Sequence, residues 1–536
     1  MTHRKCLLAY FSLQLFFTGF QNAFAQEFLF PLNRDVYGRV EQYIQNDSLH
    51  FFSSLKPLGY DYVRAFAPVD SVFAPIGKNA KFYNTLVGRK LFKEHLIQVD
   101  EDDIKLAIDP IFNTQVGADV FDDNKVYVNT RGVLVQAEAW NKFYFYTSVH
   151  ENQAQYVSYV SDMVKKEGVV PGQGRVKTNE AGTYDFNNAT GGFGLVLGKH
   201  FDFMCAHDKN FIGDGYRSLL LSDNSFQYPF FRFSMKFWRF KYTVYYAMMQ
   251  NLKEDFYYDT GFKKKYFRGN YLDFVIGKKD WLTFGLFEAV VWRHDSYRSF
   301  EFNYINPIIF LRPVENSIGS PDNELLGFNL KVRFNPRNIF YGQLMIDEFL
   351  LDEVRAGNGW WGNKQAFQLG YKSYSIAKIK NLNFQTEFNY VRPYTYQHRS
   401  TGQNFGQYNQ PIAHPMGANF WESVSFLNYR WRNFFVEAKF NYVLAGKDRA
   451  GKNDGSYIFY NYDTRSTEYG HYVGTGLETI ILYKEFRLEY LVNPKTNMNI
   501  EFGVTDRSYE NEVENKYSTL IYFGLRMALE NYYFDF

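Results

Sequence analysis

Along several stretches of this chain apolar and polar side chains alternate one for one, which is the pattern of a β-strand whose two faces meet different surroundings. Phe486, Leu488, Tyr490 and Val492 alternate with Arg487 and Glu489. Leu382, Phe384, Phe388 and Tyr390 alternate with Asn383, Gln385, Glu387 and Asn389. Phe434, Val436, Ala438, Phe440 and Tyr442 are set against Glu437, Lys439 and Asn441, and Phe328, Leu330, Val332 and Phe334 against Asn329, Lys331 and Arg333. Such segments run to about ten residues, the length a tilted strand needs to cross a bilayer. Aromatic residues make up 20% of the chain, with 44 Tyr and 56 Phe, yet the mean hydropathy is −0.39. A membrane barrel reconciles the two, because lipid-facing and lumen-facing residues cancel in any running average. A soluble sandwich has no use for so many aromatic strands.

The N-terminus points to export. Met1–Lys5 is short and basic, Cys6–Phe20 is uncharged and apolar, and Ala23 and Ala25 hold the small-residue positions of an A-x-A site. A signal peptide over residues 1–25, cleaved after Ala25, is expected, and with it outer-membrane localisation. The apolar stretch falls short of the roughly 20 residues an uncleaved helical anchor needs. Cleavage removes Arg4 and Lys5 from a total of 59 basic and 57 acidic side chains, leaving the two signs equal. That balance gives no argument for a nucleic-acid partner. Cys205 is then the one cysteine left, so no intrachain disulfide is expected.

Residues 26–98 read differently. Tyr37–Asn46 and Tyr83–Gln98 are helix-compatible, separated by the breaker Ser53–Pro57, and form an expected helical element on the periplasmic side or in the barrel mouth. Tyr156–Lys166 is a further amphipathic helix. From residue 99 to 536 the alternating segments pair through tight polar turns, such as Lys278–Asp280, Asn335–Asn338, Arg432-Asn433 and Lys484-Glu485. Long polar connections lie at Asn251–Arg268, His294–Asn323, Asp352–Asn363, Arg392–Met416 and Lys447–Tyr469. Short turns on the periplasmic side and long loops outside are the barrel arrangement. The expected fold is therefore all-β, a transmembrane antiparallel barrel of about 18 strands, an even number as single-chain barrels use. Ile521, Phe523, Leu525, Met527 and Leu529 share one apolar face and the chain ends in Phe536, so the last strand is expected to carry an aromatic end. That end resembles the signal read by outer-membrane assembly machinery.

The densest motif is His207–Phe231, HDKNFIGDGYRSLLLSDNSFQYPFF. It resembles the motif of the Wzi capsule-assembly family, in which a tryptophan- and glycine-rich run precedes a Ser-Leu-hydrophobic-Leu-Ser core, an Asn and a Pro. Gly213, Gly215, Ser218, Leu219, Leu221, Ser222, Asn224 and Pro229 supply it here, while Phe211-Ile212 stand where the family shows Trp. Leu286–Trp292, Tyr304–Pro307, Leu311–Glu315, Gly319–Asn323, Tyr341–Gln343, Asp347–Phe349 and Trp361–Lys364 look like the Bacteroidetes branch of that superfamily, which includes RemB-like gliding motility proteins. The resemblance runs from about Tyr37 to the C-terminus. It implies an 18-strand outer-membrane barrel with a helical periplasmic part, and a role in holding capsular polysaccharide or in surface gliding. Its implied partners are outer-membrane lipid, surface polysaccharide and gliding machinery.

Two groups of residues are candidates for that role. Within the motif, Asp208, Lys209, Asp214, Arg217, Asp223 and Asn224 interleave with Leu219–Leu221. They form either a network that touches ligand or an in-turned plug whose polar groups satisfy buried backbone. In the outer loops, Trp360, Trp361, Arg392 and Tyr394, with Tyr396, His398 and Arg399, offer stacking faces and planar hydrogen-bonding groups suited to sugar rings and their carboxylates. For any one of these, an ordinary surface or girdle residue is the competing reading. No catalytic, metal or cofactor site is expected. His294-Asp295-Ser296 faintly resembles the His–Ser pairing of outer-membrane phospholipase, but no oxyanion or calcium element accompanies it. The acidic runs Asp100–Asp103 and Asp122-Asp123 read as solvated turns. A porin or solute channel is the rival from another class, since a barrel of this size can enclose an aqueous channel.

Overall fold

In the computed structural model the alternating segments pair edge to edge until the first meets the last. The structure describes residues 29–44, 50–74, 77, 81–101, 103–179, 182–252, 261–294, 300–307, 310–319, 321–527 and 530–536; the expected signal peptide lies outside them. The ring consists of 18 antiparallel strands. They are β1 (Ile104–Asp119), β2 (Asn124–Ala139), β3 (Phe143–Gln155), β4 (Tyr184–Leu197), β5 (Phe201–Asp208), β6 (Tyr228–Phe237), β7 (Phe240–Asn251), β8 (Lys263–Ile276) and β9 (Leu282–Arg293). The second half holds β10 (Asn323–Asn335), β11 (Asn338–Glu348), β12 (Lys364–Ser373), β13 (Leu382–Val391), β14 (Phe420–Trp431), β15 (Phe434–Lys447), β16 (Leu477–Asn493), β17 (Met498–Asn511) and β18 (Asn515–Met527). Closure comes from β18 on β1, where Leu520–Arg526 pair with Asn113–Asp119. Among the described residues no helix is long and apolar enough to cross a membrane.

Burial along the strands is inverted relative to a soluble protein. Leu369 of β12 is 63% exposed on the outer face, while its neighbour Gln368 points inward and is 1% exposed. Val133, Leu195, Phe240, Leu330, Leu344, Phe440, Phe502 and Phe523 continue the exposed apolar belt, and Asn329, Gln343, Glu387, Asn389, Glu422 and Asn441 are buried inside. An apolar exterior over a polar interior is the state that hydrocarbon surroundings favour. Tryptophans mark the short-turn end: Trp140, Trp238, Trp281 and Trp431 sit exposed at or beside the turns before β3, β7, β9 and β15. Trp140 and Asn141 both take positive φ, 55° and 52°, in the three-residue connection between Ala139 and Phe143. The long connections, among their described residues 156–179, 209–227, 349–363, 392–419 and 448–476, leave the strands at the other end.

The N-terminal residues fold into the short-turn mouth. Helix α1 (Arg34–Glu41) is capped by Asn33, whose side chain accepts from the backbone N–H of Asp35 and Val36. With the short helices α2 (Tyr60–Arg64) and α3 (Val69–Val72) it closes a small core of Phe30, Val36, Val40, Phe51, Val63 and Phe66. Inward-facing strand residues hold this unit: Arg34 pairs with Glu437, Asp35 with Arg487 at 2.8 Å, and Glu41 with Lys372 at 2.9 Å. Helix α4 (Leu86–Phe92) then leads to a strand, Ile97–Glu101, which pairs with Ile104–Ile108 of β1.

The C-terminus departs from expectation. The last strand ends at Met527, and residues 530–536 turn up into the lumen, so Phe536 is not the end of a membrane strand. The reason is polarity. Glu530 pairs with Lys209 at 3.1 Å, Asn531 donates to Asp223 at 3.0 Å, and Asp535 lies 3.0 Å from Arg217 and 2.6 Å from Lys439. A strand facing lipid could not hold those groups.

The belt predicts a depth-dependent penalty for charge. Leu369→Arg, at mid-strand, is expected to cost about 2–4 kcal/mol of stability, against about 0–1 kcal/mol for Phe434→Arg beside the turn girdle. Urea unfolding from phospholipid vesicles measures both, and equal penalties would contradict the assigned belt.

Candidate functional site

The segment between β5 and β6 does not reach outward but folds back into the barrel. Its apolar residues make this possible: Leu219, Leu220 and Leu221 are fully buried in a luminal core with Tyr245, Phe267, Phe287, Tyr396 and Phe405. Leu220 lies on the wall at Gly327, where a β-carbon would come within 2.4 Å of the leucine side chain. Phe211-Ile212 form a two-strand ladder with Leu55-Lys56 of the N-terminal unit.

The segment's backbone is satisfied by inward-facing strand residues. Glu387 of β13 accepts from the N–H of Tyr216 at 2.8 Å and of Arg217 at 3.1 Å. Gln343 of β11 accepts from Leu219 N–H at 2.8 Å and donates to the Ile212 carbonyl at 3.0 Å. Gly215 is needed beside them, since a β-carbon there would lie 2.3 Å from Glu387.

Arg217 is the centre of the arrangement. Its guanidinium donates to both oxygens of Glu422, at 3.2 and 2.8 Å, reaches Asp535 at 3.0 Å, and lies over the rings of Tyr216 and Tyr533. Burial disfavours its charge, but Asp535 and Glu422 overcome that and raise its pKa well above the ordinary range. His414 accepts from Met416 N–H at Nδ1 and donates from Nε2 to Glu422 at 2.8 Å; burial lowers its pKa, against the pull of that carboxylate.

The other motif residues fasten separate parts of the chain. Asp208 accepts from Tyr146 at 2.6 Å. Lys209 donates to the Gly172 carbonyl at 2.7 Å and to Glu530. Asp214 accepts from Ser53 at 2.7 Å and Ser54 at 2.9 Å and pairs with Lys331 at 3.1 Å. Asp223 accepts from Tyr533 at 2.7 Å, and Asn224 donates to the Pro411 carbonyl at 2.7 Å. These six residues thus join the N-terminal unit, the outer loops, the wall and the C-terminal tail. Inward-facing Phe287, Leu325, Met345, Gln368, Asn389 and Asn441 are 0–1% exposed, so this half of the lumen is filled by side chains.

Trp360, Trp361, Arg392 and Tyr394 form a second cluster in the outer loops. Arg392 donates to the carbonyls of Asn363 at 2.7 Å, Trp360 at 3.1 Å and His471 at 3.2 Å, pinning three loop segments. Tyr394 is fully buried and donates to the Asn453 carbonyl at 3.0 Å. Trp361 donates from its indole to Glu468 at 2.8 Å, with Arg465 4.0 Å above its ring and Tyr462 at 4.8 Å. Trp360 and Trp361 keep partial exposure, and Tyr460, Tyr469 and Tyr472 beside them are about half exposed (44%, 49% and 50%). Residues 457–472 carry Tyr457, Tyr460, Tyr462, Tyr469 and Tyr472, a signal within the long connection that the reading of the sequence does not single out. Of the tripeptide His294-Asp295-Ser296, the last two residues lie outside the described ones.

No family model matches the chain, and no curated protein matches it. Among solved structures it is similar to Wzi of Escherichia coli, an outer-membrane protein involved in group 1 capsule assembly and a carbohydrate-binding β-barrel. The identity is 12%, over 93% of this chain and 99% of that one, with a TM-score of 0.56. It is also similar to OprD of Pseudomonas aeruginosa (10% identity, 81% and 96% covered, TM-score 0.41) and OccAB2 of Acinetobacter baumannii (10%, 79% and 96%, 0.42). The likeness to Wzi is one of fold, a closed antiparallel barrel spanning nearly the whole of both chains.

Two outcomes follow. Arg217→Ala leaves Glu422 and Asp535 buried without their cation, a loss of about 3–5 kcal/mol. It is expected to lower the urea midpoint and to expose residues 530–536 to carboxypeptidase; an unchanged midpoint would remove Arg217 from the centre. The second is an acid release of the N-terminal unit. Burial raises the Glu41 carboxyl, but Lys372, Lys331 and the Tyr374 hydroxyl overcome it and hold the pKa at about 2. Asp214 is likewise held well below the usual carboxylate range by Lys331, Lys56 and Ser53 against the effect of burial. Both folded values lie below the unfolded ones, so their contribution is full above about pH 4.5 and is lost as pH falls toward 2. Protease protection of residues 29–73 is expected to fall over that window, and less steeply in Asp214→Asn.

Proposed function

We propose that the protein is a non-enzymatic outer-membrane anchor that holds surface polysaccharide on its outer loops and conducts no solute. The observation that carries this reading is the burial of Arg217 with Glu422 and Asp535 at the middle of the lumen. A solute channel keeps its central charges in water, where they can exchange partners with a passing solute. Here they are dry and committed to one another. The outer cluster supports the other half of the reading. Trp360, Trp361, Tyr469 and Tyr472 present rings, and Arg465 and Arg399 present planar cations, which together suit the apolar faces and the carboxylates of sugar residues. The fold likeness to a carbohydrate-binding barrel is consistent with it. Export through a signal peptide cleaved after Ala25, and residence in the outer membrane, belong to the same proposal. Asp208, Lys209, Asp214, Arg217, Asp223 and Asn224 then act as plug fasteners, and the loop residues as the ligand-facing group.

Deleting the gene is expected to release polymer from the cell surface into the medium, and Trp361→Ala with Tyr472→Ala to weaken its retention. Each lost stacking contact contributes about 0.5–1.5 kcal/mol, or roughly twofold to tenfold in affinity. Surface staining with labelled polymer measures this. Purified protein in planar bilayers is expected to give no steady current. A stable conductance would favour the porin reading, and loss of surface spreading with normal polymer retention would favour a role in gliding.

A further inference from the structure

The lipid-facing wall is not uniform. On β8 and β9 three polar side chains face outward at mid-strand: Arg268, Asn270 and Glu288, each opposite another outward position in the register. Glu288 stands seven residues above Trp281, which at about 3.3 Å per residue and a tilt near 45° is roughly 16 Å above the turn girdle, well inside a belt about 25 Å tall. Bare polar groups at that depth are untenable, yet these three are at most 2% exposed. The connection after β9 covers them. Arg268 donates to the Tyr304 carbonyl at 3.0 Å and to Asn306, Tyr246 donates to Tyr304 at 2.9 Å, and Glu288 accepts from the N–H of Phe310 at 2.8 Å and of Leu311. Trp292, Tyr304 and Leu311 are fully buried beneath this strap, while Phe302, Ile305 and Phe310 are exposed on its far side. The strap thus turns its polar groups to the wall and its rings outward, as a segment lying in lipid must.

Beside the strap runs a trough of about 570 Å³ in the outer wall. Its floor is low where the outward positions are small or flat, at Gly191 on β4, Cys205 on β5 and Pro229 on β6, with His207 standing between Gly191 and Pro229 at its upper end. One bank is formed by Phe193 and Phe231, both outward and partly exposed. The other is formed by Tyr266, Trp292 and Phe300, with Tyr266 stacked on Trp292 at 5.6 Å and edge-on to Phe300 at 6.0 Å. That bank is immobilised by the strap, so the trough is built into the fold. Trp292 lies eleven residues above Trp281, roughly 25 Å by the same measure, so the trough opens at the upper edge of the belt and is continuous with the hydrocarbon surface below.

We infer that this trough is a binding site for one acyl chain of a membrane lipid in the leaflet on the long-loop side. The occupant follows from the lining, which is mainly aromatic and apolar with His207 and Thr147 its polar members, and from continuity with the lipid-facing belt. A fixed trough with rigid aromatic banks retains a chain more firmly than the open wall does, because the site pays little ordering entropy on binding.

The test is lipid retention by the full chain. Protein purified in dodecyl maltoside and stripped of lipid is incubated with palmitoyl-oleoyl phosphatidylethanolamine and examined by native mass spectrometry. One lipid is expected to persist after the others dissociate. Cys205→Trp and, separately, Gly191→Phe fill the floor and are expected to reduce that population roughly tenfold, with Leu344→Trp on the far wall leaving it unchanged. Heat-shifted electrophoretic mobility reports that each variant keeps its barrel, and either filler suffices. Loss of every lipid from the wild-type protein, equal retention by the folded fillers, or a lipid-free dimer seated on this wall would each overturn the assignment.

Discussion

Hydrocarbon offers a backbone N–H or C=O no alternative partner, so a strand in lipid must be paired along its whole length on both edges. The architecture follows from how this chain meets that demand where its ends join. β18 covers the upper part of β1, from Asn113 to Asp119, and then leaves the wall because its continuation is too polar to remain there. The lower edge of β1 would be bare. Ile97–Glu101 pairs with Ile104–Ile108 and covers its lowest part, leaving only residues 109–112 between the two ladders. The ring is therefore completed by both termini, and the last residues of the chain are free to turn inward because another segment takes their place.

A closed ring whose lipid face must be apolar sends its polar residues to the lumen, and the lumen then has to satisfy them. Water does this in an open channel. Here the chain's own segments do much of it: serines from the N-terminal unit reach Asp214, the Tyr533 hydroxyl and Asn531 amide of the C-terminal tail reach Asp223, and Asp535 reaches Arg217 and Lys439. Removing a buried charge's partner costs far more than the pair contributes as a whole, so the fasteners are mutually dependent. The same logic operates once on the outside, where the strap over Arg268, Asn270 and Glu288 supplies partners that lipid cannot.

What could be read from the residues divides along the same line. Alternation such as Phe434 to Tyr442 reports two unlike faces, and it sufficed for strands, closure and an even strand number near 18. The inward set already contained Glu387, Lys331 and Lys439, all of which prove to hold the plug. Which polar group each of them meets depends on segments hundreds of residues away, and no local pattern encodes that. The tail illustrates the limit. Leu520–Met527 and Glu530–Phe536 are both rich in aromatics and read as one strand, but the charges at Glu530 and Asp535 have cations waiting in the lumen. Glu288 is a similar case: nothing local in the run Leu286–Trp292 shows that its acid faces out and is covered by a loop.

The outer aromatic cluster is built on these interior contacts and is not a free surface. Arg392 ties three loop carbonyls together, and Tyr394 and Gln397 bind the neighbouring loop through Asn453 and Tyr457. Tyr396 donates to the Leu219 carbonyl, so the loop that carries Arg392 is itself fastened to the plug. In the proposed role, rings set on such a base would lose little freedom when a sugar stacks on them, so an affinity that loose loops would lose to ordering would be retained. The in-turned segment thus has a second consequence besides satisfying inward polar groups: it is the floor on which this outer loop stands.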